Sequence, residues 1–77
     1  MREDLQQWMD EECVMDIGAR SGAMDLYASF AAWKKRQRHY AATVSEWGRE
    51  MQKCEKVSKL KTMGRIVYRG IRLRSAA

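Results

Sequence analysis

Apolar and polar positions along this chain follow two rhythms. Up to about residue 54 the apolar residues recur three and four apart, the helical period; beyond residue 57 they alternate, as on a strand. Leu5, Trp8, Met9 and Glu12 share one side of a first helix over about 3–15. Ala23, Leu26, Tyr27, Phe30 and Trp33 line a second over 21–36, with Ser21 as its N-cap. Val44, Trp47, Met51 and Cys54 line a third over 44–54. Thr43 and Glu46 stand at capping-box spacing, which starts that helix at Val44. Between the first two helices, Asp16 to Arg20 has room only for a turn or a brief strand, and His39 to Ala42 forms the turn before the third helix.

The alternating segment, about 57–74, reads as a β-hairpin. A three-residue loop Thr62-Met63-Gly64, with Gly64 in the left-handed conformation, sets Lys61 opposite Arg65, Leu60 opposite Ile66 and Ser58 opposite Tyr68. Leu60, Ile66 and Tyr68 then share the core face, and Lys59, Lys61, Arg65, Val67 and Arg69 the other. A two-residue loop would mix these sets. After Tyr68 the apolar phase slips by one, to Ile71 and Leu73, and Gly70 at the slip marks a bulge or a close backbone approach. Three helices, a hairpin and a short third strand make an α+β chain of winged helix-turn-helix type, one domain over 1–77, with residues 75–77 frayed.

At 77 residues, 45% hydrophobic and 32% charged, the chain is a small globular domain that relies on its three Trp, three Tyr, one Phe and six Met for a core. An aromatic stripe at helical spacing is core before it is a base-stacking platform. Cys13 and Cys54 are isolated and, with His39 as the one histidine, provide no zinc spacing; both read as buried free thiols, which fits a reducing, cytoplasmic setting. The charged start MREDLQQW is unlike a signal peptide, and no apolar run approaches a membrane span. No membrane, small-molecule substrate, cofactor or metal is expected. With one histidine, no phosphate loop and no carboxylate pair in a cleft, the chain lacks the parts of an enzyme; Asp10-Glu11-Glu12 reads as a solvated helix face.

Charge is unevenly distributed. The net charge is +5, yet residues 1–33 carry two basic and seven acidic side chains, and residues 34–77 carry thirteen basic and three acidic. One side of the domain is therefore suited to a polyanion, of which nucleic acid is the commonest. Part of the run Lys34-Lys35-Arg36-Gln37-Arg38-His39 complements the second helix's dipole, and the rest can reach phosphate.

Two stretches carry a resemblance. LYASFAAW (26–33) and RIVYRGIRLR (65–74) are similar to the C-terminal domain of phage- and plasmid-type primase–helicases, the group related to poxvirus primase–helicase, and CVMDIGAR resembles that family's link between its first two helices. Leu26, Tyr27 and Trp33 match the family's LYxxYxxW helix, with Phe30 in place of its usual tyrosine. Tyr68, Gly70, Ile71 and Leu73 match its YRGIRL-like strand. The resemblance implies a winged helix that ends a replication protein, binding DNA or helping to load the helicase, with replication proteins or a second copy as further partners. None of the matched positions is catalytic, and no GxxxxGK[ST] loop occurs, so the chain is expected to be an excised domain or a short stand-alone relative. Its third helix, SEWGREMQK, departs from the arginine-rich version expected of the family.

The leading expectation is DNA binding, duplex ahead of single strand. Ser45, Arg49, Gln52 and Lys53 form the exposed face of the third helix, where arginine suits guanine and glutamine suits adenine. Lys56, Lys59, Lys61 and Arg65 sit on the wing, for backbone or minor groove. The alternative is a winged helix that binds protein or oligomerises without touching DNA: Glu46 and Glu50 sit close to the recognition face, where phosphate would repel them, and an exposed tryptophan or methionine patch would favour it.

Overall fold

The computed structural model describes residues 2–74; the expected fraying at residues 75–77 lies outside them. The chain runs α1 (Arg2–Glu12), β1 (Cys13–Gly22), α2 (Ala23–Arg36), α3 (Val44–Gln52), β2 (Ser58–Thr62) and β3 (Arg65–Leu73). The strands form an antiparallel sheet in the order β1-β3-β2. Three helices with a C-terminal hairpin and a third strand inserted after the first helix make an α+β, winged-helix-like arrangement.

All three helical stripes reach the core. Leu5, Trp8 and Met9 of α1, Leu26, Phe30 and Trp33 of α2, and Trp47 and Met51 of α3 are buried together with Tyr68 and Ile71 of β3. Trp8 lies edge-on to Phe30 and Trp47 at centroid distances of 5.7 and 6.2 Å, the geometry that the ring quadrupoles favour. Acidic side chains of α1, two of them from the run Asp10-Glu11-Glu12, do more than face solvent. Glu12 pairs with Arg36, Glu11 accepts from Trp33 Nε1 at 3.3 Å, and Asp4 meets the buried Lys34 amino group at 2.8 Å. Half of the basic cluster is thereby used to fasten α2 to α1.

Several boundaries differ from the sequence reading. The first helix stops at Glu12 instead of Met15, because Cys13, Val14 and Met15 pair with Leu73, Arg72 and Ile71 and extend the expected brief strand at its start. Ser21 is not the cap of α2. It lies in β1 opposite Tyr68, its hydroxyl donates to the Ile71 carbonyl at 2.8 Å, and Gly22 takes the cap position without a side-chain bond. The third helix ends at Gln52, two residues early, and Val44 at its start is 43% exposed, so the apolar face of α3 is carried by Trp47 and Met51. Cys13 is buried, but Cys54 only partly so. The connection between α2 and α3 spans residues 37–43, longer than the four-residue turn expected.

The hairpin register is the main correction. Thr62 pairs with Arg65, leaving a two-residue loop, and then Lys61 with Ile66, Leu60 with Val67, Lys59 with Tyr68 and Ser58 with Arg69. Met63 and Gly64 both have positive φ, 50° and 78°, as a type I′ turn requires; its twist matches that of the strands it joins. The two sets of side chains are therefore mixed. Lys59, Lys61, Ile66 and Tyr68 share the helix side of the sheet, and Ser58, Leu60, Thr62, Arg65, Val67 and Arg69 the outer side.

At Gly70 the expected irregularity is present, with the surplus chain on the other strand. Residues 16–19 of β1 stand against Gly70 alone, between the pairs Met15–Ile71 and Arg20–Arg69. Gly70 has φ +90°, and a Cβ there would lie 2.7 Å from the Lys56 carbonyl oxygen. Both the backbone angle and this approach require glycine. The shift in phase lets Tyr68 and Ile71, three apart, both reach the core.

Candidate nucleic-acid interface

The third helix is fixed from below and open above. Thr43 Oγ1 accepts from the Glu46 backbone N–H at 3.2 Å, the threonine half of the capping box, and stops the chain from continuing as loop. Tyr27 reaches up from α2 and donates to the Ala42 carbonyl at 2.7 Å, tying down the segment that enters α3. Trp47 is clasped by Tyr27 and Tyr68, with centroids at 5.6 and 5.8 Å and rings at 66° and 87°. Its buried Nε1 has no hydrogen-bond acceptor among the described residues. Burial in this cluster holds the Tyr68 phenol above the ordinary tyrosine range. The floor beneath α3 is thus a packed aromatic block, and the opposite face of the helix has a fixed height over the sheet.

Above that floor, α3 and the hairpin enclose a shallow groove. Val44, Ser45, Gly48, Arg49 and Gln52 line it from the helix, and Lys59 and Ile66 from the hairpin. Ser45, Arg49 and Gln52 are spaced four and three apart, which puts them in one exposed stripe. The corrected register accounts for the strand side: Lys59 and Ile66 lie on the helix side of the sheet, where the three-residue loop would have put Ile66 alone. No carboxylate lines the groove. Its polar groups are a guanidinium fork, a carboxamide, a hydroxyl and an ammonium; half-exposed Val44 and Ile66 are apolar neighbours at its surface, and Ala23 and the buried Trp47 and Tyr68 complete its lining. Such a set can donate to phosphate and guanine, pair with the adenine edge and meet a thymine methyl.

The eight expected contact residues are all exposed, but they do not form one surface. Ser45, Arg49, Gln52 and Lys59 share the groove. Lys53 stands 3.0 Å from Glu50 without a well-directed hydrogen bond, an ion pair that offsets the Glu50 charge feared on this face. Lys56 falls in the turn after α3, in a depression with Ser58 and Arg69. Lys61 lies one inward position beyond Lys59 towards the hairpin tip, and Arg65 faces outward. The sequence reading missed Val44 and Ile66 as groove residues, since an apolar residue at helical or strand spacing is assigned to the core. It also missed Arg20 and Arg69, which the register sets side by side on the outer face.

Among the described residues no three His, Cys, Asp or Glu side chains gather as a metal site, and no helix is long and apolar enough to cross a membrane. Burial pushes the Cys13 thiol up to about 12, aided by the Glu12 carboxylate, so it is a poor nucleophile. No protein-family model matches this chain, and no curated protein matches its sequence.

Proposed function

We propose that this chain is a DNA-binding winged-helix module that receives duplex DNA in the groove between α3 and the hairpin. The observation that carries the reading is the lining of that groove: Arg49, Gln52, Ser45 and Lys59 converge with no carboxylate among them, in a chain whose C-terminal part holds thirteen of its fifteen cationic side chains. In this reading Arg49 and Gln52 contact base edges, Lys59 takes a phosphate, and Val44 and Ile66 meet sugar or methyl groups. Lys53, Lys56, Lys61 and Arg65 add to the field around the groove rather than to one contact surface. Duplex is preferred to single strand because the aromatic rings that line the groove, Trp47 and Tyr68, are buried in its floor and offer no face for stacking. The stretches 26–33 and 65–74 support the further proposal that the module belongs to a phage or plasmid replication primase–helicase and acts in the cytoplasm.

A protein-binding winged helix is the other reading, and Val44 and Ile66 favour it. The tryptophans do not: all three are at most 3% exposed, and the exposed Met15, Met24 and Met63 lie on separate elements. Salt separates the two. Binding through phosphates releases counterions and weakens steeply with ionic strength, whereas an apolar protein contact does not. Titrating labelled duplex with the wild type, Arg49→Ala and Lys59→Ala tests the proposal, and loss of affinity in both variants is expected. Unchanged affinity in both would remove the groove as the contact surface.

A further inference from the structure

Arg20 of β1 and Arg69 of β3 are direct cross-strand partners on the outer face of the sheet, away from the helices. Like charges opposed in this way destabilise a sheet. Both side chains are exposed, and neither forms an ion pair among the described residues. The nearest acid on the same strand, Asp16, is turned to Arg72 at 3.4 Å. Four residues from Arg69 along β3, Arg65 projects from the same face, and Lys56 and Ser58 share a depression with Arg69 whose one carboxylate, Asp16, is the one paired with Arg72. The half-buried Leu60 and Val67 lie between the arginines.

We propose that this outer face is a second phosphodiester-binding surface, so that one domain holds two nucleic-acid segments, one in the groove and one on the sheet. An arginine fork presents paired donors matched to phosphate oxygens, and a bound anion converts the repulsion between Arg20 and Arg69 into a shared contact. No aromatic ring lies on this face, so its ligand is read as backbone charge and not through stacked bases. The proposal rests on nucleic acid being the ligand of the groove, yet it uses none of the groove's residues.

The test uses two populations of short duplex, one carrying a donor dye and one an acceptor, mixed with the full chain. Energy transfer reports bridging, and anisotropy at limiting protein reports the first binding event. One phosphate contact is worth roughly eightfold in affinity between 1 M and 0.1 M salt, so Arg20→Ser with Arg69→Ser should weaken bridging on the order of fiftyfold at 0.1 M. The first event should change by less than about twofold, and the thermal midpoint should hold or rise as the like charges go. Arg49→Ala with Lys59→Ala should weaken the first event instead. Bridging that survives loss of both outer arginines, as dimerisation would give, overturns the inference and leaves the groove standing; so does a wild type that binds duplex without bridging. Binding lost only with the outer pair, while the groove variants behave as wild type, would sink the groove and keep the outer face. An absence of any DNA binding overturns both and directs the search to an acidic protein partner.

Discussion

Gly70 approaches the Lys56 carbonyl and so docks β3 against the turn that follows α3. Gly70→Ala perturbs this docking with one methyl group. A left-handed backbone costs an L-residue about 1–2 kcal/mol, and φ at this position is +90°. The added Cβ would also sit 2.7 Å from backbone oxygen, a contact that no side-chain rotation relieves. Forced overpacking of this kind costs about 1–3 kcal/mol, so the total is about 3 kcal/mol. Gly64→Ala is the internal control: φ is +78° there too, but nothing lies within 4 Å of the new carbon, and only the conformational cost of about 1 kcal/mol remains. Urea unfolding followed by tryptophan fluorescence reads the difference, since Trp8, Trp33 and Trp47 are all buried in the native state. With a slope of about 1 kcal/mol per molar urea for so small a domain, Gly70→Ala should lower the midpoint by about 3 M and Gly64→Ala by about 1 M. Equal effects of the two substitutions would refute the claim that the Lys56 approach fixes residue 70 as glycine.

Other expectations follow from single contacts. Gly48 is interior to α3 and lines the groove, and a Cβ there would make only an ordinary contact, 3.9 Å from the Tyr68 hydroxyl. Gly48→Ala should therefore stabilise the fold by about 0.5–1 kcal/mol while weakening duplex binding, checked by paired melting and anisotropy. Met63 holds φ +50° at the hairpin tip with its side chain 98% exposed, so Met63→Asn should raise the urea midpoint, by up to about 1 kcal/mol in stability. Its hydrogen bond and ion pair to Lys34 hold the Asp4 carboxyl below its ordinary range. That contribution is present above the unfolded-state value and is lost as pH falls through the lower folded value, so wild-type stability should decline below about pH 4. Asp4→Asn, measured by urea unfolding across that range, should flatten the decline. Thiol labelling of the native chain followed by mass spectrometry should modify Cys54 well before Cys13.

Much of this fold was legible in the sequence because its determinants are local. The α3 cap at Thr43, the Trp47–Met51 stripe and the phase slip at Gly70 each depend on residues a few positions apart. The hairpin loop was misread for a physical reason: a three-residue loop needs only Gly64 in the left-handed region, whereas the observed turn also puts Met63 there, a conformation that methionine disfavours. The register that follows brings Lys59 to the helix side of the sheet beside Ile66, a neighbour that the three-residue loop hides, whereas the Arg20–Arg69 pair depends on how β1 meets β3, segments far apart in the chain. Lys34 is a second case. It belongs to a basic run that reads as complementing the helix dipole or reaching phosphate, and its burial depends on Asp4, thirty residues away. Continuous apolar residues at Cys13, Val14 and Met15 have neither period, so pairing with β3 decided where α1 ends. Arg49, Gln52 and Ser45 fall on the exposed face of α3 because helical spacing alone sets them opposite Trp47.

The most direct test of DNA binding in the α3–hairpin groove is the salt dependence of duplex affinity for the wild type, Arg49→Ala and Lys59→Ala, measured by fluorescence anisotropy on more than one sequence. With about five phosphates neutralised, the log–log slope should be about −4 to −5; Lys59→Ala should weaken every duplex alike and reduce the slope by about one. Arg49→Ala should change the preference among sequences, by about 1–3 kcal/mol where its base contact is lost. No duplex binding at low salt, or binding that neither substitution alters, would contradict the groove as a nucleic-acid interface.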